Sequence, residues 1–336
     1  AAQLNNYERG VTFVPLAKVE AAKDIVLATA EAIGFQFYEG SDPEQQLLSY
    51  FQQKKLLLVL DNFEHLLDGA GFVGKLLEFA AQVRVLTTSR EKLNLQEEVC
   101  FRLEGMDFPE RVVDSDGSAL EDIYEYSAIK LFLQSARRVR PDYQIEDADL
   151  NSVIQICRQV RGSPLGIMLA AAWVEMLSLP EIAGEIEQNF DFLATELRDV
   201  PQRQRSIRAV FASSWNQLSE AERRIFSALA VFRGGFEREA AQAVAGADLR
   251  TLLVLINKSL LRRDPKSARF TIHELLRQYA AEQLEAAQLT QQIRDLHCLY
   301  YIQFMEERLQ AMLGPGQVAA LDEIEAEFEN VRKGWI

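Results

Sequence analysis

The sequence is short of several things that would decide its class at once. No run of about 18 uncharged apolar residues occurs, and the first thirty residues show no basic start followed by an apolar stretch and a cleavage site. A membrane partner is therefore not expected, and a cytoplasmic location follows by elimination. Cysteine and histidine number three each: Cys100, Cys157 and Cys298, with His65, His273 and His297. They are scattered, without paired spacing or metal-ligand spacing, so a structural zinc and a cysteine nucleophile are disfavoured and reduced, mostly buried thiols are expected. The phosphate-binding pattern G-x-x-x-x-G-K-[ST] is missing from the whole length, and no repeat of fixed period is visible.

What is present is the composition of an ordinary globular protein. With 336 residues, 48% apolar and 26% charged, the chain is long enough for two to four packed units. The formal net charge of −14 argues against a surface that coats nucleic acid throughout. The charge is unevenly spread, however. Residues 199–288 hold 14 Lys and Arg against 10 Asp and Glu, which is +4, so the remainder carries −18. That segment alone tolerates a polyanion.

Hydrophobic texture orders the chain. Residues 1–9 read as the tail of a helix and 11–14 as a strand ending at Pro15; a helix follows over 21–33. Residues 54–61 form an apolar run without alternation, as expected of a strand buried on both faces of a parallel sheet, and 83–90 form a second after a helix over 72–81. A further strand is expected over 99–103. Strand and helix alternating in this way predict an α/β layer. Beyond Gly105 a polar stretch with Pro109, Asp114, Asp116 and Gly117 reads as a linker, and from Ser118 onward helical spacing dominates. Ser219 with Glu222 three residues later is a capping box opening a helix over 220–232. Residues 260–262 and 269–272 flank Asp264-Pro265-Lys266-Ser267 and read as a β-hairpin, so helices leading into a two-stranded wing suggest a winged helix. The tail over 291–336 is helical with a break at Gly314-Pro315-Gly316.

Four places carry residues suited to chemistry. Asp61 closes an apolar strand at the carboxyl edge of the expected sheet, where open α/β folds bind ligands, and such an acid can hold Mg²⁺ through water; the alternative is a strand-ending Asp that caps the next helix. Thr87-Thr88-Ser89-Arg90 ends the next strand with hydroxyls and a guanidinium, whose planar fork suits a γ-phosphate, unless Arg90 simply opens a helix. Arg161-Gly162-Ser163-Pro164-Leu165 interrupts a helical region; it offers free N–H groups at a new helix start, or is merely a corner between helices. His273 opens the helix over 274–284, where its imidazole either meets a phosphate, with a charge variable near neutral pH, or caps the helix.

Asp61-Asn62-Phe63-Glu64-His65, Thr87-Thr88-Ser89-Arg90, Gly162-Ser163-Pro164-Leu165 and Ile272-His273-Glu274-Leu275-Leu276-Arg277, in this order, resemble the STAND signalling ATPases related to the NB-ARC group, especially bacterial AfsR-like and MalT-like regulators. The likeness covers nearly the whole chain. It implies a parallel-sheet P-loop NTPase-type domain over 1–105, AAA+-like in plan and incomplete at its start. A linker and helical domain over 106–198, a winged helix over 199–288 and a helical lead into a TPR-like sensor over 289–336 would follow. By the same resemblance ATP or ADP binds with Mg²⁺ at Asp61 and Asn62, with Thr88 and the sensor Arg90 beside them. Gly162, Pro164 and Leu165 would meet the base, and His273 the β-phosphate of ADP. It further implies slow hydrolysis resting on Asp61 and Arg90, a downstream helical-repeat sensor, self-oligomerisation on activation, and DNA contact through an attached domain more than directly.

Three departures qualify this. Asn62 stands where many ATPases place a second acid, Met168 follows the Gly-x-Pro turn where close relatives carry a carboxylate, and the phosphate-binding loop is absent. In the family that loop precedes the helix whose tail resembles residues 1–9, so this stretch of chain is expected to bind nucleotide weakly or not at all, although its full-length parent binds it. Two other readings stand beside the nucleotide switch: a transcriptional regulator binding DNA through its winged helix, and a catalytically inactive assembly scaffold.

Overall fold

The computed structural model describes residues 7, 10–109, 123–146, 149–195, 205–314 and 316–334. The expected helix tail over 1–9 and the linker beyond residue 109 fall outside these. The chain divides into two compact units, residues 1–101 with 257–259 and residues 102–256 with 260–336.

The first unit is built on three parallel strands, β1 (Val11–Pro15), β2 (Leu56–Asp61) and β3 (Val83–Thr87), in the order β1-β2-β3. Helices α1 (Ile25–Ala32), α2 (Pro43–Phe51) and α3 (Ala70–Phe79) supply the crossovers that parallel strands require. Asp42 caps α2 by accepting from Gln45 N at 3.3 Å, with Pro43 in the first turn, where its lack of an N–H costs nothing. Leu56, Leu58 and Leu60 are buried, whereas Leu57 and Val59 are half-buried, so the two faces of β2 are covered unequally. Ile25, Leu47, Phe51, Phe63 and Leu76 close the core at 0% exposure. The register sets Pro15 against Asp61 and Leu60 against Thr87, which brings the carboxyl ends of the strands to one edge.

The strand expected over 99–103 is not formed. Val99, Phe101 and Leu103 alternate as a half-buried strand would, yet they are 93%, 87% and 87% exposed, and no described strand pairs with them. β-propensity expresses itself only where a ladder partner and a covered face are available.

Among the described residues the second unit is mainly helical, with one hairpin. It contains α4 (Ser127–Val139), α5 (Leu150–Gln159), α6 (Pro164–Ala171), α7 (Leu179–Gln188), α8 (Ile207–Asn216), α9 (Glu220–Leu229), α10 (Arg238–Ala245) and most of α11 (Leu249–Asn257). The hairpin β4 (Arg262–Arg263) and β5 (Phe270–Thr271) follows, then α12 (Glu274–Ala286), α13 (Thr290–Met312) and α14 (Gln317–Gly334). The Ser219–Glu222 capping box forms as the spacing predicts, and Gly246 at φ 68° ends α10 in the left-handed conformation that glycine takes without strain.

Two apolar clusters meet on α12. Its Leu275 and Tyr279 belong to the cluster of α4 to α8 with Phe132, Ile154 and Ile186, while Leu276, Ala280 and Leu284 belong to the cluster of α9 to α14 with Phe226, Phe236 and Tyr301. A helix buried along two faces cannot be removed from either cluster alone, because each fully buried apolar side chain contributes about 1.5–3 kcal/mol.

Candidate functional site

In the first unit the carboxyl edge of the sheet is organised by Thr88. Its backbone N–H donates to Leu60 O at 3.0 Å and its carbonyl accepts from Phe63 N at 2.9 Å. Its hydroxyl donates to Asp61 Oδ1 at 2.7 Å and accepts from Asn62 N at 2.9 Å. One threonine therefore fixes the corner after β2 and leaves Asp61 Oδ2 with no hydrogen bond from a described residue. The alternative reading of Asp61 as a helix cap does not hold: the short turn over Phe63–His65 follows Asn62, which sits at φ 68°, without a side-chain cap. Asn62 Nδ2 lies 3.1 Å from His65 Nδ1, and His65 Nε2 lies 2.9 Å from the Val19 carbonyl, an arrangement that assigns the ring proton to Nε2. Arg90 lies beyond β3 with its Nε 3.6 Å from Glu64 Oε1. Glu64 is the residue that sequence reasoning passed over. It stands inside the Asp61–His65 motif, and its side chain is 12% exposed against 34% for Arg90, so it is the better buried half of that pair.

The second unit brings together the other two motifs. Arg161 and Gly162 take φ values of 48° and 65°, both left-handed, so the chain doubles back after α5. Gly162 O accepts from Met106 N at 2.8 Å and Gly162 N donates to Cys157 O at 2.9 Å. A Cβ on Gly162 would lie 2.1 Å from the Met106 carbonyl oxygen, and one on Gly105 would lie 2.0 Å from that of Arg161, so two glycines let segment 105–106 lie on this corner. Ser163 caps α6 by accepting from Gly166 N at 3.4 Å, Pro164 takes the first turn, and Leu165 packs half-buried against the cluster of α4 to α8. Against this corner lies His273, whose Nε2 is 3.3 Å from the Val160 carbonyl.

His273 is also the N-cap of α12, with Nδ1 accepting from Leu275 N at 3.2 Å. Both nitrogens are thus engaged in the form protonated at Nε2. Burial, with the nearby Arg161 charge, pushes the imidazole down to about 4. The sequence suggested a charge varying near neutral pH; the structure instead holds this ring neutral there. His297, 1% exposed and packed on the rings of Phe232 and Tyr301 at 5.2 and 4.8 Å, is likewise pushed down to about 4, chiefly by burial. A free histidine takes its proton near 6.5 and these take theirs near 4. The unfolded chain therefore binds more protons in that window, and stability falls as pH drops through it. His297 alone accounts for on the order of 3 kcal/mol. The urea midpoint should fall steadily from pH 7 to 4.5, and His297→Gln should flatten the decline; an unchanged slope would refute the assignment.

Among the described residues no group of three His, Cys, Asp or Glu is placed to hold a metal, and no helix is long and apolar enough to cross a membrane.

No family model matches the sequence. A Mycobacterium tuberculosis protein, Rv0890c, whose name assigns it provisionally to the HTH-type transcriptional regulators, is 34% identical over 285 residues. The match takes in 82% of this chain, which spans only 30% of that protein's length. A second M. tuberculosis protein, Rv0894, named only as uncharacterized, is 31% identical over 280 residues, covering 80% of this chain and 67% of its own length. The chain belongs to the family of this second protein. Two solved structures are similar at 14% identity. One is a STAND protein with a tetratricopeptide repeat sensor from Pyrococcus horikoshii (TM-score 0.27, 79% of this chain and 33% of that chain). The other is the Aeropyrum pernix ORC2 protein in ADPNP-ADP complexes (TM-score 0.38, 85% and 81%). Likeness of that degree assigns no fold.

Proposed function

We propose that this chain is the core of an ADP/ATP-dependent switch of the STAND ATPase class, working in signal transduction or transcriptional regulation. The observation that carries the reading is the seating of His273 on the Val160 carbonyl beside the Gly162-Ser163-Pro164 corner. Two motifs more than a hundred residues apart in sequence meet there. At 3.3 Å the Nε2–H bond is long, so the donor can be re-aimed at a phosphate oxygen at small cost. Gly162, Pro164 and Leu165 would form the base-side wall.

In the first unit, Asp61 with Thr88 on one carboxylate oxygen suits a Mg²⁺ ion held through water. The fit is that of an assisting ligand, because one carboxylate leaves the remaining coordination to water and to nucleotide phosphates. Asn62 supplies no second acid, in keeping with slow hydrolysis. Arg90 is held by Glu64, so a γ-phosphate would compete with that carboxylate for the guanidinium. ATP and ADP would then differ in what they do to Arg90, and a switch needs ligands with different affinities for its states. In the full-length protein, Arg90→Ala should weaken ATP binding by about tenfold and leave ADP binding nearly unchanged. An equal loss for both nucleotides would count against the sensor role.

A second reading, a DNA-binding regulator, is favoured by the name of the 34% identical relative and by the hairpin over 262–271, whose Arg262 and Arg263 are exposed. On this reading residues 199–288 form a winged helix. Salt-dependent retention of duplex DNA, lost on reversing both arginine charges, would support it.

A further inference from the structure

Within the second unit a cavity of about 840 Å³ opens between α5, residues 186–190 and α12. His273, Gly162 and Pro164 do not line it. Its wall carries three arginines, and the partners of two can be followed. Arg277 is forked onto Glu274 at 2.9 and 2.5 Å and donates to the Ala230 carbonyl at 3.2 Å, so its charge is neutralised locally. Glu282, also in the wall, accepts from Arg208 at 2.6 Å. Arg233 differs. It forms no ion pair with any described residue, its Nη1 is buried without a hydrogen-bond partner, and burial disfavours its protonated form more than the nearby Glu274 charge favours it. Glu274, the carboxylate it senses, is already occupied by Arg277, and Glu187 on the opposite wall is exposed to water. A half-buried guanidinium whose nearby carboxylate is shared with Arg277 is under-compensated, and an anion entering the cavity would complete its pairing. Arg158 adds a third positive charge to the same wall, while Gln155, Gln188 and Gln278 supply amides for hydroxyl groups.

We propose that this cavity binds a small hydroxylated phosphate, with Arg233 as the residue that meets the phosphate. A phosphate suits the site, since the planar fork of Arg233 bonds two of its oxygens at once and the wall amides meet hydroxyl groups. The volume admits a phosphorylated sugar with its bound water. The inference stands apart from the nucleotide switch, because it uses neither His273 nor the glycine corner.

The test uses ribose 5-phosphate, inorganic phosphate and acetate in titration calorimetry against the 336-residue chain, with Arg233→Gln and Arg233→Lys beside it. Saturable binding of ribose 5-phosphate is expected, with weaker binding of inorganic phosphate and none of acetate. Arg233→Gln should weaken it by at least about tenfold, and Arg233→Lys by less. Melting in phosphate-free buffer supplies the second measurement: with its nearby carboxylate already held by Arg277, Arg233→Gln should melt no lower than the parent chain. No ribose 5-phosphate binding, binding indifferent to Arg233→Gln, or a clearly lower melting temperature of that variant without phosphate would each overturn the proposal.

Discussion

Replacing Glu327 with alanine is expected to lower the melting temperature by on the order of 10 °C, the largest effect anticipated for a single side chain outside the candidate sites. Glu327 is 4% exposed and carries a charge into the interior. Its Oε1 is in close contact with Arg269 Nη1, and its Oε2 accepts from Tyr301 OH at 2.7 Å and from Asn330 Nδ2 at 2.8 Å. Asn330, fully buried, also donates to the Gly235 carbonyl at 2.7 Å and accepts from Arg233 N at 2.7 Å, while Arg269 Nη2 donates to Gly235 O at 3.0 Å. This network fastens α14 to the turn before α10 and to the hairpin. Removing the carboxylate leaves the Arg269 guanidinium, whose side chain is 12% exposed, with the Gly235 carbonyl and the more distant Glu237 carboxylate at 3.9 Å, and breaking a buried pair from one side costs about 3–5 kcal/mol. Glu327→Gln keeps the shape and the acceptor oxygen and should lose less. Calorimetry on the three proteins checks this, and equal melting of the alanine variant and the parent would show the network to be energetically idle.

Gly162→Val should come next in size, with a cost of about 3 kcal/mol or more. Two effects act together at this position. The backbone sits at φ 65°, which a β-branched residue avoids, and the new Cβ would lie 2.1 Å from the Met106 carbonyl oxygen. Segment 105–106 must then leave the corner, breaking the 2.8 Å Met106 N–H bond to Gly162 O. Gly105→Ala meets the same contact from the other side, at 2.0 Å from Arg161 O. The double variant should therefore lose less than the sum of the two single losses. Denaturant midpoints of the four proteins give the cycle, and simple additivity would mean that the two glycines serve separate contacts.

The α/β layer was legible because β2 and β3 are largely apolar runs bounded by polar residues, and helical stretches stand between the strands. The Asp61–Thr88 edge could be anticipated for the same reason: parallel strands ending in Asp61 and Thr87 must bring those ends together. Other features depend on contacts that no local pattern encodes. Glu64 reads as one more polar residue in a turn until Arg90 is placed beside it. Glu327 and Asn330 look like the solvated face of a terminal helix, and only the packing of α14 shows that they point inward. Val99, Phe101 and Leu103 mislead in the opposite sense, since their alternation is that of a strand without a described partner. His273 was legible as a helix start. Its neutrality was not, because that comes from burial and from Arg161, more than a hundred residues away in sequence.

The central claim, that the Gly162–Pro164 corner and His273 belong to one nucleotide-sensing site, is tested most directly by titrating a fluorescent ADP analogue into the full-length gene product and its His273→Ala variant. Mg²⁺-dependent, micromolar or tighter binding by the parent is expected, weakened about tenfold or more by the substitution while the fold is retained. Absence of binding in the parent, or equal affinity in the two proteins, would contradict it.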